Sequence, residues 1–258
     1  MILCFDIGNT NIRGTICNNG VILPERVSFP ANRTIAIDEL NVILSEWKER
    51  FVKTAGMDSF IEGTIYASVV PELNKTIEEG IFQVYGIRSL EVSSRMKLNF
   101  KIRYDDEKTL GADRIANAAA AFELFPGDTI VVSVGTAITF NVCLSERVFD
   151  GGVIAPGFGA ATKALASQTS RLFSVGFEKP VRISARNTSD ALKSGLYYGW
   201  ISLIEGVLSR LEDYYQRNFL IILTGGAFPL IEKDLRIKYI ADADLTNKGL
   251  MMLYSLNK

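Results

Sequence analysis

Apolar positions along the chain switch between a period of two and a helical period, and the switch happens twice. Three β-prone runs, Ile2–Ile7, 11–17 and 21–27, are parted by Gly8-Asn9-Thr10 and Asn18-Asn19-Gly20. Short apolar runs bounded by Gly and Asn predict strands joined by tight turns, here an antiparallel meander. The spacing then lengthens over 35–51, where Ile37, Leu40, Ile43, Leu44 and Trp47 share one helical face. A strand is predicted over 63–70, a helix over 73–85 behind the N-terminal Pro71, and a short strand over 89–92. An alanine-rich helix over 110–125 offers small faces for close packing.

The pattern then begins again. Runs 129–134, 138–144 and 148–154 are β-prone, with Gly135-Thr136-Ala137 and Ser145-Glu146-Arg147 between them. A helix is predicted over 159–167 and a long one over 189–218. A strand over 219–223 leads into Thr224-Gly225-Gly226, and weaker elements finish the chain. Strand–Asp6-Ile7-Gly8–turn–strand lines up with strand–Ser133-Val134-Gly135–turn–strand, about half of the 258 residues later. A recurring hairpin can arise by chance, but the matching third strand and helix argue for an internal duplication. Two similar α/β domains are expected, 1–126 and 127–258, facing a central nucleotide cleft. No low-complexity linker separates them.

Composition removes whole classes of chemistry. The 258 residues are 48% hydrophobic and 22% charged, with net charge −1 and no basic run, so no nucleic-acid surface is indicated. No segment has the apolar length of a membrane span, and the start lacks a basic leader, so a cytoplasmic protein is expected. Three widely spaced cysteines, Cys4, Cys17 and Cys143, fit neither a disulfide framework nor a zinc site. The absence of histidine excludes Ser-His-Asp and Cys-His catalysis and His-ligated zinc. Any general base is Asp, Glu, Lys, Tyr or Cys.

The small-residue turns carry the candidate chemistry. Gly8-Asn9-Thr10-Asn11 can expose backbone N–H groups to an anion, and its Gly and Asn tolerate positive φ. Asp6, at the preceding strand end, can hold a divalent cation directly or through water. Gly135-Thr136 suits a second phosphate, and Gly225 and Gly226 allow the backbone to approach a base or ribose. Gly111-Ala112-Asp113-Arg114 opens the alanine-rich helix. Asp113 there can serve as general base on a hydroxyl or can only cap the helix, and Arg114 can hold a carboxylate or form a surface ion pair.

Taken together, these motifs resemble the actin-like ATPase and sugar-kinase superfamily and, within it, the type III pantothenate kinases. The resemblance runs nearly end to end. It rests on Asp6-Ile7-Gly8-Asn9-Thr10-Asn11, Ala67-Ser68-Val69-Val70-Pro71, Tyr104-Asp105 and Gly111-Ala112-Asp113-Arg114. It continues through Gly135-Thr136-Ala137-Ile138-Thr139, Gly151-Gly152-Val153-Ile154-Ala155-Pro156-Gly157, Asn187-Thr188, Ser194-Gly195, Thr224-Gly225-Gly226 and Leu245-Thr246-Asn247-Lys248-Gly249-Leu250. It implies two duplicated ribonuclease-H-like domains, each a mixed sheet with helices, and a homodimer. It also implies transfer of the ATP γ-phosphoryl group to pantothenate, with Asp113 accepting the hydroxyl proton. Asp6, Ile7, Gly8, Asn9, Thr10, Asn11, Ile12, Arg13, Thr136, Gly225 and Gly226 would serve ATP, with Mg²⁺ at Asp6. Tyr104, Gly111, Ala112, Asp113, Arg114 and Thr188 would line the pantothenate pocket.

The chain departs from the family pattern Asp-x-Gly-Thr-Ala-x-Thr-x-Asp in the second turn, where Ser133 and Asn141 replace the two aspartates. The resemblance assigns the first position to a monovalent cation, K⁺ or NH₄⁺, and a serine hydroxyl is a weak ligand for it. The alternatives are a weakly active relative that binds or regulates, and a kinase of another small hydroxylated molecule.

Overall fold

In a computed structural model, which describes residues 1–55, 60–168 and 172–258, contacts group the chain into two units. The first holds Met1–Phe125, Arg147–Phe149 and Asp244–Lys258, and the second Pro126–Glu146 and Asp150–Ala243.

The opening meander forms as β1 (Ile2–Ile7), β2 (Asn11–Asn18) and β3 (Val21–Pro30). β3 runs past the predicted end at residue 27, through Pro24 to Pro30. It can do so because it is the edge strand, where a missing N–H breaks no ladder. Helix α1 (Ile37–Ala55) follows, then β4 (Gly63–Ser68), α2 (Pro71–Tyr85) and β5 (Ser89–Glu91). Pro71 is itself the first residue of α2, since its fixed φ suits that position, and Gly86 ends the helix in the left-handed region (φ 71°). The sheet order is β3-β2-β1-β4-β5, with β1 antiparallel to β2 and parallel to β4. Leu3, Phe5, Ile7, Leu40, Leu44, Trp47 and Tyr66 join one buried core, and Phe5 meets Trp47 edge to face at 5.7 Å.

Short β6 (Lys101–Ile102) precedes the alanine-rich α3 (Ala112–Leu124). In the second unit come β7 (Thr129–Val134), β8 (Ala137–Leu144) and β9 (Val148–Pro156), whose first two residues stay with the first unit and pair there with β6. Helices α4 (Phe158–Gln168) and α5 (Thr188–Tyr215), then β10 (Leu220–Thr224) and β11 (Ile240–Ala241), complete it. Its strands lie in the order β11-β10-β7-β8-β9. α5 stops three residues short of the predicted 218 because Gln216 turns left-handed (φ 53°) and closes the helix on the Glu212 carbonyl.

The last helix, α6 (Leu245–Asn257), returns to the first unit. The expected domain of 127–258 therefore gives up its final segment. α6 packs on α3 so closely that a Cβ at Gly249 would lie 1.8 Å from the Ala116 carbonyl oxygen. Thr246 donates to Asn117 across the same contact at 2.8 Å. The Leu245–Leu250 motif thus fixes this helix pair. No helix among the described residues is long and apolar enough to cross a membrane.

Candidate active site

The predicted acidic residues meet at the carboxyl ends of the first unit's parallel strands, where open α/β sheets place their ligands. Asp6 is the penultimate residue of β1, opposite Arg13 on β2 and beside Ala67 on β4. Its Oδ2 lies 4.0 Å from Arg13 Nη1, and its side chain is 25% exposed. Burial, then the nearby Asp113 carboxylate, pushes the Asp6 carboxyl up to about 6, against the weaker pull of Arg13. Two carboxylates brought close without a cation each resist ionisation.

Asp113 sits in the first turn of α3. Gly111 is the N-cap and offers no side-chain cap. The Asp113 carboxylate takes N–H groups of the first turn instead, its own and that of Arg114. Burial raises its carboxyl above the ordinary aspartate value, opposed by those N–H groups and by the Arg114 charge. A Cβ at Gly111 would lie 2.6 Å from Asp113 Oδ1, so any larger residue there would displace that carboxylate. Val69 lies behind it. Its N–H donates to the Ile7 carbonyl at 3.0 Å, and the Ser68 hydroxyl accepts the Val70 N–H at 3.1 Å, so the Ala67–Pro71 motif anchors this strand end. Arg114 is buried, at 4% exposure, and donates to the Tyr104 hydroxyl at 3.4 Å.

The Gly8–Asn11 turn is open to solvent at Asn9 and Thr10. Its backbone differs from the expectation. None of its residues has positive φ; in this meander that conformation belongs to Asn19 and Gly20. The Gly8 N–H donates to the Asn11 carbonyl at 3.0 Å, and Thr10 carbonyl accepts from Ala31 at 2.9 Å. Ile7 and Ile12 are fully buried core side chains, so only their backbone can face a ligand.

In the second unit, three separate sequence motifs converge on one strand end. Ser133 on β7 stands opposite Thr139 on β8 and beside Thr224 on β10. A Cβ at Gly225 (φ 94°) would lie 2.4 Å from the Val134 carbonyl oxygen. One at Gly157 would lie 2.2 Å from that of Gly135 and 2.3 Å from that of Thr136. The Gly157 N–H also donates to Thr136 at 3.0 Å, and Ala227 N–H to Val134 at 2.9 Å. Thr136 and Gly226 remain exposed at the rim. Asn141 is fully buried, and Thr139 nearly so. Gly157 ends the Gly151–Gly157 motif, and the backbone it packs on lies more than twenty residues away in the chain, so no local pattern encodes this contact.

Thr188, predicted in the substrate pocket, lies in the second unit as the first residue of α5. Asn187, not Thr188, caps that helix, accepting the Asp190 N–H at 2.9 Å. Thr188 lines an apolar cavity of about 320 Å³ with Leu165, Leu172, Leu192 and Leu196. No group of three or more His, Cys, Asp or Glu able to hold a metal occurs among the described residues.

A family profile described as type III pantothenate kinase matches residues 2–210. A type III pantothenate kinase from Koribacter versatilis is 35% identical, covering 100% of this chain and 96% of that protein. One from Sulfurihydrogenibium sp. is also 35% identical, over 98% and 99%. Among solved structures, EutJ, an ethanolamine utilization protein of Carboxydothermus hydrogenoformans, superposes with a TM-score of 0.58 at 14% identity, over 97% of this chain and 89% of that one. The 2-hydroxyisocaproyl-CoA dehydratase activator of Clostridium difficile, solved with bound ADPNP, gives 0.54 at 11% identity, over 99% and 94%. These structural likenesses establish the fold, that of the actin-like ATPases, with two ribonuclease-H-like domains.

Proposed function

The chain belongs to the type III pantothenate kinase family, and from that membership we propose that Asp113 is the base through which it phosphorylates the primary hydroxyl of pantothenate. Kinases of this family use ATP for the first step of coenzyme A biosynthesis. The observation that carries the reading is the Asp113 carboxyl. It is raised by burial, fixed by first-turn N–H groups, and set at a helix N-terminus beside a second acid. A carboxylate of raised basicity accepts the hydroxyl proton as that oxygen attacks the γ-phosphorus. The bond to the β,γ-bridging oxygen breaks, and ADP leaves with the electron pair. Such transfers depend on positioning and charge neutralisation more than on covalent chemistry.

Asp6 is the residue that would hold Mg²⁺. A single carboxylate ligand at a strand end, with Asp113 nearby, fits that ion, which takes few protein ligands and keeps waters and phosphate oxygens. When bound, Mg²⁺ would neutralise charge on the phosphates and offset the burial and the Asp113 repulsion that raise the Asp6 carboxyl. Arg13 and the Gly8–Asn11 turn serve the phosphates, and Thr136, Gly225 and Gly226 approach the nucleotide. Arg114 pairs with the pantothenate carboxylate, with Tyr104, Gly111 and Ala112 beside it; Thr188 is assigned to the substrate on the family resemblance alone.

Ser133 and its neighbour Thr139 offer only neutral hydroxyls at the position where K⁺ or NH₄⁺ is expected, and we read that cation site as lost. A homodimer is supported by the small-residue face of α5, where no atom of the described residues beyond the local helix backbone lies within 4 Å of a Cβ added at Gly195 or Gly199. The three cysteines are buried and outside any disulfide, which suits the proposed reducing cytoplasm.

The test is ADP release, with and without pantothenate, followed beside a panel of other small alcohols. Pantothenate-dependent turnover supports the reading. Turnover on a different alcohol alone, or none in Na⁺, K⁺ or NH₄⁺ buffers, would sink it.

A further inference from the structure

Arg114 keeps a full positive charge almost wholly out of water, and two aromatic rings help it do so. Its guanidinium carbon lies 5.3 Å from the centre of the Phe149 ring and 5.7 Å from that of Tyr104. The rings are 6.4 Å apart and tilted by 52°. Both are tied to one backbone ladder: Ile102 pairs with Phe149, and the Arg103 N–H donates to the Phe149 carbonyl at 2.8 Å. Phe149 is fully buried and ends the three-residue segment Arg147–Phe149 that rejoins the first unit. A burial cost of this kind is offset when ring faces replace part of the lost hydration.

We propose that Phe149 is a positioning residue for the substrate: its ring, with that of Tyr104, clamps the Arg114 guanidinium at the angle that meets the pantothenate carboxylate. The proposal rests on the reading of Arg114 as the carboxylate's partner. A flexible guanidinium would lose rotamer freedom on binding, whereas a clamped one is already ordered, so the clamp acts on substrate affinity and not on the transfer step.

The decisive experiment separates ring electronics from packing. Fluorination of the Phe149 ring to its pentafluoro isostere keeps volume but removes the negative π face, and Phe149→Leu removes the ring. Kinetics are measured for pantothenate, for ATP and for a neutral analogue whose carboxylate is a primary amide. Both replacements should raise KM for pantothenate about 10-fold, the scale of a desolvated cation–π contact, with kcat and KM for ATP within about twofold. KM for the amide should not move. A folding defect would lower the active fraction, and so kcat, without this split. If Phe149→Leu fails to fold, the fluorinated protein decides alone. An unchanged pantothenate KM, or an equal rise for the amide, overturns the clamp. Arg114→Gln run alongside locates the failure. If it raises the pantothenate KM while the Phe149 replacements do not, only the clamp is wrong. If it too leaves that KM unchanged, the carboxylate reading of Arg114 falls, and the clamp with it.

Discussion

The strand–turn–strand at Asp6 and the one at Ser133 share a topology but differ in charge and in packing. In each unit a meander lies beside a parallel strand, β3-β2-β1-β4-β5 in one and β9-β8-β7-β10-β11 in the other. At the matching position the first unit sets Asp6 against Arg13, and the second sets Ser133 against Thr139. The first turn is open and ordinary in φ, and the charged Asp6 and Arg13 flank it on β1 and β2. The second is neutral, and Gly157 and Gly225 pack onto its backbone at distances no side chain allows. The two copies thus share one scaffold, with a charged pair at the strand end of one and close backbone packing at that of the other.

The largest effect expected from that division is at Asp113. Asp113→Asn keeps size and most first-turn hydrogen bonding but cannot accept the proton. Turnover should fall about 10²–10⁴-fold, the usual range for a lost general base, with the circular dichroism spectrum unchanged. Near-normal turnover in this variant would remove Asp113 from the role of base.

Backbone shape in the second unit is tested by glycine. Gly225→Ala meets both a positive φ of 94° and the Val134 carbonyl, and should cost at least about 2 kcal/mol. A melting temperature lower by about 4–8 °C follows. Gly8→Ala should cost less than about 1 kcal/mol, because its Cβ would stand 3.3 Å from the Asn11 carbonyl at an ordinary φ. Equal destabilisation by the two would erase the contrast between the turns.

That contrast reverses what the residues alone suggest, since Gly8 stands in the more suggestive motif. The strands were legible because their apolar runs are short and bounded by Gly and Asn: Ile2–Ile7 and Thr129–Val134 form over the predicted spans. The convergence of Asp6 with Asp113 is where the family resemblance pointed. Three features had no local signal. β6 is two residues long. The returns of Arg147–Phe149 and of α6 to the first unit are tertiary choices that chain order does not encode. Phe149 reads as a core aromatic in a strand until the Arg114 guanidinium is seen over its ring.

Asp6 gives a pH test of the charged half. Its carboxyl is raised to about 6 in the folded protein from an ordinary value of 3.8, so the native state binds the proton more tightly than the unfolded chain. Without metal, stability should therefore rise as pH falls from 7 through 6 toward 4, and be lowest above 6, where the buried charge is fully formed. Asp6→Asn removes that penalty. In EDTA at pH 7.5 it should stabilise the protein by about 2–3 kcal/mol and flatten the pH profile between 4 and 7, while turnover drops. A variant less stable than wild type at pH 7.5, or a wild-type profile rising with pH across this window, would show that Asp6 is satisfied without a cation.

The smallest effect belongs to the neutral half. Ser133 presents a hydroxyl at the position proposed for a monovalent ion, and its cross-strand partner Thr139 adds no charge. Ser133→Ala should change turnover by about twofold or less, the low end of what one neutral hydrogen bond contributes. Exchanging K⁺ for Na⁺ at constant ionic strength should likewise leave turnover nearly unchanged in wild type. Ser133→Asp sharpens the comparison, because it restores a charged oxygen ligand beside the Gly135-Thr136 turn. If the missing carboxylate alone accounts for indifference to K⁺, this variant should gain K⁺ activation that wild type lacks. Strong K⁺ dependence in wild type would instead show that the second turn holds its ion through hydroxyl and carbonyl oxygens, and that the two halves differ in charge without differing in cation chemistry.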